Sequence, residues 1–137
     1  MSLAIKEARK SGEPLKCGAV IVKDNSIIAK SCNNARKVYD SSGHAEINAI
    51  RKAGKKLGDK NLRECIIYCT CEPCVMCLSA ITFAKIKKII YGTPLKDVSQ
   101  KDNIIDVPLE YFLSKTPYKI EVVGRFMEEE CKNIIKK

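Results

Sequence analysis

Histidine is almost absent from this chain: His44 is the only one among 137 residues. Any step that needs an imidazole, as a base or as a metal ligand, therefore falls to that position. Long apolar runs are absent too. No stretch approaches the ~20 residues that carry a helix across a bilayer, which excludes a transmembrane helix, and no membrane partner is expected. The opening residues, Met1-Ser2-Leu3-Ala4-Ile5-Lys6-Glu7, lack the basic, apolar and small-residue zones of a secretory leader, so a cytoplasmic protein is expected. There is no internal repeat, low-complexity tract or linker-like stretch. One domain over residues 1–137 is the expectation.

What is present is an ordinary globular balance, with 45% hydrophobic and 30% charged residues. A chain of this length buries a core without disulfides. Its eight cysteines are accordingly read as reduced thiols. Cys17, Cys32, Cys65 and Cys69 lie in strand-like apolar settings, where cysteine behaves as a small hydrophobe. Lys and Arg outnumber Asp and Glu by 25 to 16, a net charge of +9. That suits an anionic partner such as RNA. It equally suits a solvated surface, because the lysines are spread along the chain.

The periodicity predicts a helix over residues 1–11, ended by Ser11-Gly12-Glu13-Pro14. Strands follow at 17–22 and 27–31, joined through Asp24-Asn25 as a hairpin. Residues 32–43 read as a polar loop. A helix runs from His44 with Ala45, Ile47, Ala49, Ile50, Ala53 and Leu57 on its apolar side, and Gly58 stops it. Then come a strand at 65–70, a helix with Pro73 in its first turn continuing through Ala84, and a strand at 86–91 closed by Gly92-Thr93-Pro94. Residues 95–116 are mixed, with a short helical turn between Asp106 and Leu113. A strand at 118–123 and a helix at 127–136 complete the chain. Strands separated by helices imply a buried sheet covered on its faces, with the strands at 65–70 and 86–91 parallel.

The residues with the most specific chemistry lie between His44 and Cys77. His44, Cys74 and Cys77 supply the three protein ligands of a catalytic zinc site, which leaves a fourth position for water. Cys74 and Cys77, three apart on a helix, project toward one point. Glu46, two residues from His44, is placed to take a proton from that water and return it to a substrate atom. Taken singly, each feature has a plainer explanation: a histidine at a helix start as a cap, a glutamate in a first turn as dipole complement, Cys-x-x-Cys as a redox pair or half of a structural zinc site. Taken together, H-x-E followed by P-C-x-x-C is the signature of zinc deaminases.

On His44-Ala45-Glu46, Ala49-Ile50-Arg51 and Cys71-Glu72-Pro73-Cys74-Val75-Met76-Cys77, the chain resembles the cytidine deaminase-like superfamily. Within it, it is most similar to the branch of bacterial guanine deaminases and tRNA adenosine deaminases. The likeness runs from Gly18 through Tyr91. It implies an α/β fold, a three-layer α-β-α sandwich around a five-stranded mixed sheet. It also implies Zn2+ held by His44, Cys74 and Cys77, with Glu46 as proton carrier. Substrate contacts are implied at Asn33 and at the backbone N–H of Ala45, although Asn33 reads equally well as a turn-former. The implied reaction is hydrolytic: water replaces an exocyclic amine on a nucleobase or nucleoside, and ammonia leaves. A homodimer is also implied.

For the substrate, the resemblance favours guanine. Ala49 to Ala53, Leu57-Gly58 and Cys71 look like guanine deaminases. The stretch Thr93 to Gln100 departs from the Gly-Ala-Ala-Gly-Ser segment of the tRNA adenosine enzymes. Against this, Pro73 to Cys77, Glu121-Val122-Val123 and Glu129-Glu130-Cys131 resemble the tRNA enzymes, and the net charge suits tRNA. The aromatic C-terminal segment of guanine deaminases is not evident after Met127. Adenosine-34 of tRNA, cytosine and cytidine are therefore the alternatives. A zinc-containing RNA-binding or scaffold protein is the non-enzymatic one, and it would have no use for Glu46. Cys71 is expected to line the pocket or the core.

Overall fold

The hairpin signalled by Asp24-Asn25 is present. Strands β1 (Gly18–Lys23) and β2 (Ser26–Cys32) pair antiparallel. Both turn residues take positive φ, 49° and 60°, which matches a two-residue turn to the twist of its strands. The computed structural model describes residues 1–98 and 104–135. β1 also pairs antiparallel with β3 (Cys65–Cys71), β3 pairs parallel with β4 (Lys88–Thr93), and β4 parallel with β5 (Glu121–Val123). The order β2-β1-β3-β4-β5 is a five-stranded mixed sheet. Parallel neighbours cannot be joined by a tight turn, and helix α4 (Val75–Phe83) forms the crossover from β3 to β4.

Apolar residues on the two sides of the sheet recruit helices to both faces. Ala19, Ile21, Ile67, Cys69 and Ile89 belong to one core cluster with residues of α3 (Ala45–Leu57) and α4. Ile5 and Ala8 of α1 (Ser2–Ala8) join Cys131 and Ile134 of α6 (Glu128–Ile135) in a second cluster. This is the expected three-layer sandwich. Ala45, Ala49 and Ala53 of α3 are all 0% exposed. A stripe of small side chains lets this helix lie close on the sheet, and Gly58 ends it at φ 64°, a left-handed cap that glycine adopts without strain. α5 (Leu109–Ser114) lies against the first cluster, and the Tyr118 hydroxyl donates to the Thr82 carbonyl at 2.8 Å, tying the approach to β5 onto the end of α4.

The structure corrects several expected boundaries. Residues 32–43 are not all loop: α2 (Ala35–Val38) is a single helical turn. It ends at Tyr39 with φ 54°. Pro73 precedes α4 rather than opening it, and Cys74 is the N-cap with an extended backbone. Gly92 and Thr93 belong to β4 rather than closing it, because Thr93 pairs with Cys71 of β3. β5 holds only three residues although apolar alternation begins at Tyr118. The short helix expected between 106 and 113 starts at Leu109, after Pro108. Part of the mixed 95–116 stretch and the end of the 127–136 helix lie outside the described residues.

Gly92 tests the packing of α6 on β4. A Cβ there would lie 2.6 Å from the Cys131 Cβ and 2.9 Å from the Thr70 carbonyl oxygen. Gly92→Ala is expected to lower unfolding stability by about 1–3 kcal/mol through overpacking, read as a shift in urea midpoint. Gly12→Ala, with nothing within 4 Å of the new methyl, serves as the control and is expected to leave the midpoint in place.

Candidate metal and active site

The sheet brings two helix N-termini together. His44 is the N-cap of α3 and Cys74 the N-cap of α4, both extended and neither making a side-chain cap hydrogen bond. Their side chains are thus left available for other partners. His44 Nδ1 lies 3.6 Å from Cys74 Sγ and 3.5 Å from Cys77 Sγ, and the three ligand atoms are all within 4.8 Å of one another. A tetrahedral zinc ion, with Zn–S about 2.3 Å and Zn–N about 2.0–2.1 Å, sets nitrogen and sulfur ligands about 3.5 Å apart. The observed spacings fit that geometry.

The electrostatics point the same way. Cys74 is brought down to about 4 by the Cys77 thiol, His44 and the Cys77 backbone N–H, against the effect of burial. Cys77 is pushed up, chiefly by Cys74 and then by burial. A divalent cation takes such sulfurs as thiolates, so its binding releases protons from the pair. His44 is raised above the ordinary imidazole value, most by its hydrogen bond to Cys74.

Glu46 lies in the first turn of α3, two residues past His44. It is only 5% exposed, and the Cys77 thiol donates to its Oε2 at 3.4 Å. Burial is the main cause of a raised carboxyl pKa. Glu46 is therefore a buried carboxyl that holds its proton more readily than an exposed one while lying beside the metal ligands. That combination suits a proton carrier.

A cavity of about 390 Å³ opens onto these residues, with His44, Ala45, Glu46 and Cys74 in its lining. Asn33 is in the same wall. Its Oδ1 accepts from the Cys17 N–H at 2.9 Å, and its Nδ2 donates to the Leu15 carbonyl at 2.6 Å. Asn33 thus pins the segment before β1. A primary amide has two donor hydrogens and two acceptor lone pairs, so one of each is left beyond those two bonds. Ala45 is the first residue of α3, where the N–H has no partner within the helix. Asn33, His44, Ala45, Glu46 and Cys74 thus line one cavity, and Cys77 is buried behind it against His44 and Glu46.

Sequence reasoning missed Glu13. It lines the cavity, and its Oε1 accepts from the Arg36 N–H at 2.7 Å, which clasps α2 to the segment before β1. No local pattern marks such a residue, because its role arises only when residues 13–17 pack on residues 33–36. A larger hollow of about 680 Å³ shares Glu72, Leu95 and Ile104 with the cavity, and Arg125 and Lys96 also line it.

Residues 1–93 match the family described as the cytidine and deoxycytidylate deaminase zinc-binding region. A tRNA-specific adenosine deaminase of Agrobacterium fabrum is 36% identical, over 99% of this chain and 89% of its own length. A guanine deaminase of Bacillus subtilis is 49% identical over 83 residues, which cover 61% of this chain and 53% of that enzyme. A solved structure from a study of A-to-I editing by tRNA:A34 deaminases superposes with TM-score 0.85 at 36% identity, over 98% of this chain and 96% of the other.

Metal content tests the site. The purified protein is expected to carry one zinc per chain, and Cys77→Ser is expected to lose it while Cys131→Ser keeps it. Protons compete with a metal for imidazole and thiolate ligands. Bound zinc, measured by atomic emission after dialysis, is expected to be retained at neutral pH and to fall as the pH is lowered into the acid range.

Proposed function

We propose that this chain, which belongs to the cytidine and deoxycytidylate deaminase zinc-binding family, converts adenosine to inosine at the wobble position of tRNA. The family hydrolyses the exocyclic C–N bond of nucleobases and nucleosides. The observation that carries the tRNA reading is that likeness to a tRNA-specific adenosine deaminase extends over 99% of this chain, through β5 and α6. Two further features support it. The net charge of +9 favours a polyanion, and the hollow adjoining the cavity leaves room for more than a free base. Guanine, the substrate that the motifs around His44 and Cys71 favour, is the second reading. It rests on the 49% identity to a guanine deaminase over 83 residues.

His44, Cys74 and Cys77 would hold the zinc. When bound, zinc is a Lewis acid that lowers the pKa of water and provides a nucleophile near neutral pH. The remaining work falls to side chains and backbone of this chain. Glu46 takes the proton that water gives up on attack and delivers it to the ring nitrogen beside the reacting carbon. It then takes the second proton from the hydroxyl added to that carbon and passes it to the departing amine, as the C–N bond breaks and the oxo group forms. The balance is one water consumed and one ammonia released, with an oxo group left on the ring. The raised pKa of Glu46 brings its proton affinity nearer to that of its partners, the condition for efficient transfer in both directions. The Ala45 N–H donates to the substrate from the positive end of α3, and Asn33 orients the base with its second donor and acceptor. In this reading residues 1–137 act as one domain, and a pair of chains forms a homodimer.

The test is turnover by zinc-loaded protein on a tRNA anticodon stem-loop bearing adenosine-34, alongside guanine, guanosine, cytosine, cytidine and dCMP. Inosine in the stem-loop is the expected product. Ammonia from guanine with the stem-loop unchanged would replace the first reading by the second. Glu46→Gln is expected to keep its zinc and lose about 10²–10⁴-fold in kcat on the active substrate; undiminished turnover would remove Glu46 from the mechanism.

A further inference from the structure

All eight cysteines are free, and the metal centre uses two of them. Among the rest, Cys65, Cys69 and Cys131 are fully buried, and burial raises each thiol, Cys131 to about 11. Cys17 and Cys71 are arranged differently. β1 and β3 run antiparallel with Ala19 opposite Cys69. Continuing that register by two residues sets Cys17 opposite Cys71. The Gly18 N–H donates to Thr70 Oγ1 at 3.0 Å, so the strands remain joined one step beyond their last paired residues. Cys17 packs against the cluster of Cys71, Val98 and Ile135, and its sulfur is a hydrogen-bond partner of the Cys71 thiol.

Opposed residues of an antiparallel pair have Cα atoms about 4.5–5.5 Å apart, inside the range of about 4.4–6.8 Å over which disulfides form. A bond between these two sulfurs therefore asks no new register of the sheet. Both residues line the cavity that holds His44 and Glu46. Cys17 is partly exposed there, whereas Cys71 is 4% exposed. The two sulfurs thus have unequal access from one chamber.

We propose that Cys17 and Cys71 form a dithiol modification site in the wall of the substrate cavity, closed to a disulfide by a hydroperoxide. The Cys17 thiolate attacks the peroxide oxygen, the O–O bond breaks, and an alcohol leaves with the thiol proton. This converts Cys17 to a sulfenic acid. The Cys71 sulfur then displaces the sulfenic hydroxyl: the S–S bond forms, the S–O bond breaks, and water leaves with the Cys71 proton. Two electrons pass from the sulfurs to the peroxide, and a reducing dithiol reverses the change. Cys71 acts second because its thiol, pushed well up by Cys17 and by burial, keeps its proton until the sulfenic acid is beside it.

The bond would also fix a wall of the cavity. The Cys17 N–H donates to Asn33 Oδ1 at 2.9 Å, and the Asn33 N–H donates to the Cys17 carbonyl at 3.2 Å. The segment before β1 would then be tied covalently to β3, three residues from Cys74, with Asn33 held to it through its hydrogen bonds to Cys17.

Zinc-loaded protein is treated with tert-butyl hydroperoxide, alkylated under denaturing conditions without reduction, digested, and sequenced by fragmentation mass spectrometry while its zinc is measured. The expected result is a peptide joining Cys17 to Cys71, with zinc retained and the bond reversed by dithiothreitol. In Cys71→Ser, a dimedone adduct on Cys17 is expected, which the parent protein lacks because Cys71 resolves the sulfenic acid. In Cys17→Ser, Cys71 is expected to be recovered alkylated. A Cys17 bond to Cys32 or Cys69, a Cys74–Cys77 bond with zinc released, or full alkylation of both residues after treatment would each overturn the proposal.

Discussion

Two helix N-termini meet end to end in this fold, and the rest of the site depends on what lies between them. His44 caps α3, Cys74 caps α4, and the nitrogen and sulfur come within 3.6 Å. Each helix start carries a partial positive charge and unpaired N–H groups, so their juxtaposition is unfavourable unless anions sit at the junction. The Cys74 thiolate is one, held ionised down to about 4. A conventional Ser or Asp cap would complement each helix but would leave no soft ligand. Placing the ligands at the caps makes one set of groups serve both helix ends and the metal.

That arrangement constrains the packing behind it. α3 reaches the sheet through Ala45, Ala49 and Ala53, each fully buried. A larger side chain at any of the three would lift the helix and move His44 away from the sulfurs. Glu46 is carried on the same first turn, so its burial and its closeness to Cys77 follow from the seating of α3. The positions of His44 and Glu46 are set by one rigid contact rather than by two separate ones.

This explains which parts of the molecule were legible in the sequence. His44, Glu46, Cys74 and Cys77 occur as short motifs whose spacing has chemical meaning, and the structure gathers them. The strands β1 to β4 and helices α3 and α4 were visible because apolar periodicity reports burial directly. Features that depend on distant partners were not. Thr93 joins β4 because Cys71 lies beside it in β3. α2 forms where Glu13, more than twenty residues earlier, accepts the Arg36 N–H. Cys17 read as a small apolar residue and Cys71 as lining the pocket or the core; only the register of β1 on β3 sets them opposite each other. Asn33 reads as a turn residue in isolation; only the folded chain shows its amide bridging to Leu15 and Cys17.

The same division separates reaction from substrate. The metal ligands and Glu46 come from two compact motifs and require only that α3 and α4 meet. The cavity walls come from residues 13–17, 33–36, 95 and 104, which no single motif controls. A substitution in those walls changes the shape presented to a base without disturbing the ligands, so a deaminase centre can be kept while its substrate changes. High local identity to a guanine deaminase and whole-chain likeness to a tRNA adenosine deaminase are then compatible. The first reports a shared centre, and the second reports the frame beyond it. In the proposed mechanism Glu46 and the metal act alike on any amino-bearing ring carbon, so discrimination falls to groups that meet the base edge or the flanking ribose and phosphate. The Glu13–Arg36 clasp and the hollow lined by Lys96 and Arg125 adjoin the cavity and lie outside both motifs.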